Sequence, residues 1–457
     1  MHFRRLDLAR LRLRLSFSKA RDRNRPRRTR RALLEENIRY NIYNGVAALV
    51  SVNLVIPFLG IFGLRVGATN TEIGLITSLP AMISLVSALP AAFLVDRCSN
   101  HKHFTVALIL LTRFLYTPLA LIPFFPSRWQ PILLLAVVTI MTIPQAFLNV
   151  AWQSIIGSAI PPEVRSDSFA ERSIWMTLSG TVSVLLGGWI MDHIAYPVGY
   201  QVAFVASFLA GIAEAYFLNR LVIPLDGPDS SQEKGAQQKA SREHDGKPQP
   251  AQKPWAGAAN EWRRVRGDRP YFWFLLATLY FHFAWMGAWP LFTIYRVEFL
   301  HANNVWMSLA TVASSIGSVV TYRWWSRLSK RKGYSTALIW SSAGIAMLPA
   351  AWIFVKDLWF ATLMDFVGGA ATAGIGLGLL NRLLEVASDD HRATDVAYFN
   401  MAVQLAATTG PMLWTFGYER LGWGVSMGIT AIARALSVAG YWLAANAASH
   451  EVSETSA

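Results

Sequence analysis

Three amides recur at four-residue spacing inside an otherwise apolar stretch: Gln145, Asn149 and Gln153. On a helix that spacing keeps them within one narrow stripe. Neutral amides so arranged hydrogen-bond a polar solute and release it without charge compensation; the alternative is that they glue helices together. His282 shares a stripe with Trp285 and Trp289, at spacings of three and seven, where an imidazole serves as a proton-linked switch or as a plain hydrogen-bond donor beside aromatic surface. Asp365 precedes Gly368, Gly369, Gly374, Gly376 and Gly378. A carboxylate buried on such a bendable helix has a raised pKa and can load and release a proton as water access changes. A site in the outer headgroup region fits Asp365 equally well. Glu214 is a second acidic candidate of lower rank. Asn53, Asn381 and the stripe Asn400, Gln404, Thr408 complete the polar inventory, and Arg113 and Arg434 fall inside apolar runs where each needs a partner.

These groups matter because of what surrounds them. Of 457 residues, 53% are hydrophobic and only 15% charged, whereas a soluble chain carries about 25% charge. Twelve apolar stretches of bilayer-crossing length can be placed at 41–63, 71–95, 104–125, 130–158, 172–193, 200–220, 271–296, 304–325, 334–355, 358–384, 395–416 and 421–445. They are continuously apolar rather than alternating, which argues against a barrel. The expected fold is therefore an all-α integral membrane protein with twelve transmembrane helices.

Net charge is +14, but residues 1–40 hold 14 Lys/Arg against 4 Asp/Glu, so most of the excess is one tail and no nucleic-acid surface remains elsewhere. With the N terminus inside, 35 of the 42 Lys/Arg fall on the cytoplasmic side and five on the other, among them Arg65 and Arg296. Both termini are expected in the cytoplasm of a cell with this protein in its plasma membrane. The tail interleaves Leu with Arg and either lies on anionic inner-leaflet lipid or is solvated. Residues 221–270 read as a flexible cytoplasmic linker, dividing a bundle at 41–220 from a second at 271–445, with a short tail at 446–457.

The halves repeat. Arg97 and Arg327, in short loops, are 230 apart; Arg165 and Arg392 are 227 apart; Asn53 and His282 are 229 apart; Gln153 and Asn381 are 228 apart. At this point the chain resembles the major facilitator superfamily over residues 41–445. That family's loop carries Gly, three residues, Asp-Arg, one residue, then Gly-Arg-Arg. Asp96 and Arg97 match, while Ala92, Ser99, Asn100 and His101 stand at the other positions. The resemblance implies two pseudo-symmetric six-helix bundles, with the first and seventh helices on a central cavity and the sixth and twelfth at the periphery. It also implies that Asp96 and Arg97, together with Arg165, Arg327 and Arg392, belong to gating loops, Asp96 facing a helix N-terminus. The pair Gly187-Gly188 partly resembles a pattern of proton-coupled exporters, but Ser183 and Val184 replace its Gly-Pro.

The expected function is a secondary transporter for a small polar or amphipathic organic solute, working by alternating access with candidate proton coupling. The solute is expected to be held by Asn53, Gln145, Asn149, Gln153, His282, Trp285, Trp289, Asn381 and Gln404. The alternative is a non-transporting receptor or scaffold with the basic tail as effector. An embedded enzyme ranks third, since one cysteine, Cys98, and no CxxC or HExxH motif leave no sign of a metal centre, and no cofactor is expected.

Overall fold

The computed structural model describes residues 30–98, 100–160, 162–222, 258–388 and 392–455. The basic tail 1–29 and the linker segment 223–257 lie outside the described residues, as do the side chains of Asp96, Arg97, Gln153, Arg165 and Arg392.

Helix α1 (Arg30–Asn53) runs into a 3-10 turn at Ile56–Phe58 and continues as α2 (Leu59–Arg65). The break falls at Pro57, which has no N–H to give to the helix ladder. Four long helices and one shorter one complete the first half: α3 (Asn70–Arg97), α4 (His101–Phe114), α5 (Gln130–Ala159), α6 (Pro162–His193) and α7 (Val198–Arg220). A 3-10 segment at Thr117–Phe124, with prolines at its start and interior, extends α4. The second half comprises α8 (Ala258–Gly267), α9 (Arg269–Gly287), α10 (Trp289–Glu298), α11 (Asn304–Lys332), α12 (Tyr334–Trp352), α13 (Leu358–Val386) and α14 (Arg392–Thr455). Gly422 interrupts α14 with φ 73°, a conformation glycine adopts freely, so α14 is two helices in series.

Nine segments among the described residues are long and apolar enough to cross a bilayer. The last of these contains the Gly422 break and supplies two crossings, and α3 and α12 have crossing length as well. That yields the twelve-crossing all-α body. The helices overrun the apolar stretches: α1 begins at Arg30 and α11 reaches Lys332. Hydropathy marks only what sits in hydrocarbon, whereas helix starts are fixed by caps. Thr69 and Glu72 form a capping box, and Asp268, Asn303 and Asp357 each accept from a backbone N–H three residues on.

Two expectations are revised. The stretch expected to be linker through residue 270 ends in helix α8, whose Val265 is fully buried and whose Arg264 pairs with buried Asp395 at 2.6 Å. The expected C-terminal tail from 446 is helical as far as Thr455.

Within the first half α1 packs on α6 and α7, and α5 on α3 and α4; within the second, α9 packs on α14, and α13 on α11 and α12. The halves meet along three seams, α3 with α14, α6 with α11, and α2 with α10. Twelve crossings put the starting end of α1 and the final end of α14 on one side, here the terminal face, and the loops α2–α3, α6–α7 and α10–α11 on the far face.

Candidate functional site: a cavity between the halves

Two crossings are broken at matching places. Pro57 ends α1 and Pro290 follows the end of α9, 233 residues apart and close to the repeat offset. Irregular backbone at membrane depth is tolerated where it lines a cavity. Both breaks do so. A cavity of about 420 Å³ is walled on one side by Ile56, Pro57, Ile73, Tyr116, Thr142 and Gln145, and on the other by Trp289, Pro290 and Thr293. None of its lining residues is charged.

Of the expected amide stripe, Gln145 reaches this wall, and its Nε2 donates to Asn149 Oδ1 at 2.9 Å. Asn149 is exposed one turn nearer the terminal face. Behind Gln145 lies a sealed ion pair. Arg113 Nε donates to Glu214 Oε2 at 2.8 Å and Nη2 to Oε1 at 3.3 Å, while Nη1 donates to Tyr116 Oη at 2.9 Å and Gln145 Oε1 at 3.3 Å. The side chains of Arg113 and Glu214 are 3% and 6% exposed. A side chain at Gly211 would collide with the Arg113 stem, so glycine there is what admits the guanidinium. Glu214, expected as a second proton-coupling candidate, is therefore the counter-ion of Arg113 and stands behind the wall.

Other expected cavity residues are placed elsewhere. Asn53 Nδ2 donates to Gly180 O at 3.0 Å, fastening α1 to α6. His282 is buried among Phe281, Trp285 and Phe399, with Nδ1 against Thr278 O at 2.9 Å; aromatic packing of α9 on α14 holds it away from the cavity wall. Trp285 is half-buried and meets Trp289 edge-on at 5.5 Å, and Trp289 alone of that stripe lines the cavity. Asn381 Nδ2 is spent on Leu377 O of its own helix, at 2.7 Å. Gln404 is half-buried on α14 and outside the wall. Arg327 is exposed on the terminal face.

Asp365 pairs with Arg296, expected in an exposed loop but in fact 7% exposed in α10 and 4.8 Å from the Trp352 ring centroid. Asp365 Oδ2 is buried without a hydrogen-bond partner among the described residues. Arg434 is fully buried, and its three nitrogens donate to Ala284 O, Trp285 O and Ile345 O at 3.0–3.2 Å. Two of those carbonyls belong to the last turn of α9, where the helix break removes their usual partners.

On the far face, carboxylates of each half sit on helix N-termini of the other. Asp192, at the end of α6, accepts from Asn304 N at 3.1 Å, Asn304 Nδ2 at 2.7 Å and Val305 N at 2.7 Å, in the first turn of α11. Glu419, in α14, accepts from Thr71 N at 2.8 Å, in the first turn of α3. The free N–H groups and positive end of a helix favour an anion there. Asp192 and Glu419 are 227 apart, the spacing of Arg165 and Arg392. The α6–α11 seam is tight because Gly188 faces Ser308 and the Asn304 carbonyl with no Cβ between, and Ser308 Oγ donates to Val184 O at 2.7 Å. At the terminal ends of the helices, hydrogen bonds within one half include Asn37 with Val222, Lys102 with Leu221 O, and Arg264 and Tyr271 with Asp395.

The expectations missed Pro57, Pro290, Tyr116, Asp192, Glu419 and Arg296. For the prolines a signal was available, since interrupted crossings at corresponding positions of two halves point to the site.

A twelve-crossing body in two repeated halves around a central cavity defines a class of membrane transport protein. The sequence model of the Major Facilitator Superfamily matches residues 44–383, and the chain belongs to that family. Solved structures share the fold. A bacterial homolog of the human lysosomal transporter Spinster, in an inward-facing and unoccupied conformation, is 16% identical with TM-score 0.61, covering 92% of this chain and 97% of that one. The peptide transporter POT in complex with sulfate is 12% identical with TM-score 0.62, covering 92% and 99%. A variant of the nucleoside transporter NupG is 11% identical with TM-score 0.62, covering 89% and 99%. No curated protein sequence matches the chain.

Proposed function

We propose that this protein is a secondary transporter that carries a small polar or amphipathic organic solute across the plasma membrane by alternating access. In this reading the terminal face, rich in Lys/Arg, is cytoplasmic, and the far-face clasps favour a state open toward it. The supporting observation is a cavity walled by both halves at two matching helix breaks, with carboxylate clasps joining the halves on the far side. Gln145 and Asn149 supply polar contacts, and Trp289 with Tyr116 supplies aromatic surface. A screen for compounds that raise the melting temperature, followed by uptake of radiolabelled hits into proteoliposomes, tests this reading. Uptake lost in Gln145→Ala supports it; stabilising compounds that never cross the membrane contradict it.

Proton coupling through Asp365 is the finer part of the proposal. Its support is a carboxylate beside Arg296 with one oxygen buried and unpartnered. Transport driven by an imposed pH gradient and lost in Asp365→Asn is the expected result; transport indifferent to the gradient in both proteins refutes coupling.

A further inference from the structure

The hydrogen-bond polarity along one face of α5 is fixed from behind: Gln145 lines the cavity, and Asn149, one turn toward the terminal face, is exposed. Arginine has five N–H donors and no acceptor. Arg113 therefore holds Gln145 by its carbonyl oxygen, Oε1, and the Gln145 amide nitrogen must point the other way, where it donates to Asn149 Oδ1. The Asn149 oxygen is thereby occupied, and its NH2 group faces outward; among the described residues no acceptor meets it. Tyr116 follows the same rule: its oxygen accepts from Arg113, so its own proton must point away from the guanidinium, and the residue lines the cavity. Glu214 accepts two hydrogen bonds from the guanidinium, neutralising it and fixing its plane, so from Arg113 the donors run outward through Gln145 to Asn149 without net charge. Each link accepting from a polarised donor also strengthens the next. The hydroxyls of Thr112 and Thr142 donate back to Leu108 O and Val138 O, and both residues are buried, at 1% and 9% exposure.

We propose that the solute is recognised through an acceptor oxygen, a carbonyl or ether group, on an uncharged apolar body, with Asn149 as the residue that selects it. This deepens the transport reading of the cavity and rests on it. The body is set by walls of Ile56, Ile73, Met141 and Trp289.

The test uses two neutral bicyclic probes of similar size on the purified full chain: 1-indanone, which only accepts, and indole, whose ring N–H only donates. Melting-temperature shifts at millimolar concentration give apparent affinities. The wild type binds indanone about 2- to 10-fold tighter than indole, the range of one net hydrogen bond. Asn149→Asp, a change at an exposed position, reverses that order. Gln145→Glu reverses it too without touching Asn149, because a carboxylate accepts from both sides and makes the Asn149 amide turn its oxygen outward. A merely structural role for Gln145 leaves the order unchanged. Equal or tighter indole binding by the wild type, or an unchanged preference in both variants, overturns the inference and leaves transport standing. Binding of neither probe also overturns it, and the uptake experiment then decides the transport reading separately.

Discussion

The two faces of this protein are built from the same repeated helices yet are held in different ways. On the far face each half extends a carboxylate to the N-terminus of a helix in the other, Asp192 to α11 and Glu419 to α3. On the terminal face, contacts such as Arg264 with Asp395 and Asn37 with Val222 tie helices within a half. The difference teaches that repeated helices need not carry repeated contacts: on the far face, directed hydrogen bonds from single carboxylates join the halves. A reciprocal pair of single-residue clasps is also reversible, because a helix N-terminus hydrates readily once the anion leaves.

The comparison can be broken at four places. The largest effect is expected from Gly188→Leu, whose side chain would occupy the space held by Ser308 and Asn304 and keep the far seam apart. A cysteine introduced at Thr293 in a Cys98→Ser background then reacts with a membrane-impermeant maleimide from the far side, and transport stops. Asp192→Ala comes next. It removes three hydrogen bonds to one carboxylate, and far-side labelling rises about tenfold or more, the effect of losing charge-assisted bonds at a partly buried site. Glu419→Ala removes one such bond at a more exposed seam, and labelling rises about two- to fivefold. Arg264→Ala is the contrasting change. It breaks a contact within one half and leaves the buried Asp395 carboxylate without the Arg264 charge, holding only the Ser388 N–H among the described residues, so the melting temperature falls while far-side labelling changes less than about twofold.

The fold was legible because hydrocarbon imposes a pattern no other solvent does: twenty apolar residues per crossing and basic residues kept to one side. Membership of the halves followed from offsets near 228. The site was legible only in part. Gln145, Asn149 and Trp289 declare themselves as polar or amphipathic groups on stripes, and Gln145 and Trp289 line the cavity. Asn53 and Asn381 look the same in sequence, but their amides are spent on backbone carbonyls of Gly180 and Leu377. His282 shares its stripe with Trp289, yet about two helical turns of aromatic packing separate burial from access. Arg113 and Arg434 announced that they needed partners; nothing in the chain near them named Glu214 or the carbonyls of α9, which fold topology supplies. Asp192 and Glu419 were passed over because single carboxylates at helix ends read as solvated caps until the neighbouring half is in view.

The most direct test of the account is a pair of spin-label distances. One pair, Tyr196 with Phe299, spans the far face; the other, Asn100 with Arg331, spans the terminal face. In the wild type the far pair is short with a narrow distribution and the terminal pair long. Asp192→Ala combined with Glu419→Ala should lengthen the first and shorten the second together, as rocking about a central cavity requires. Two distances that stay unchanged, or that lengthen in concert, would contradict it.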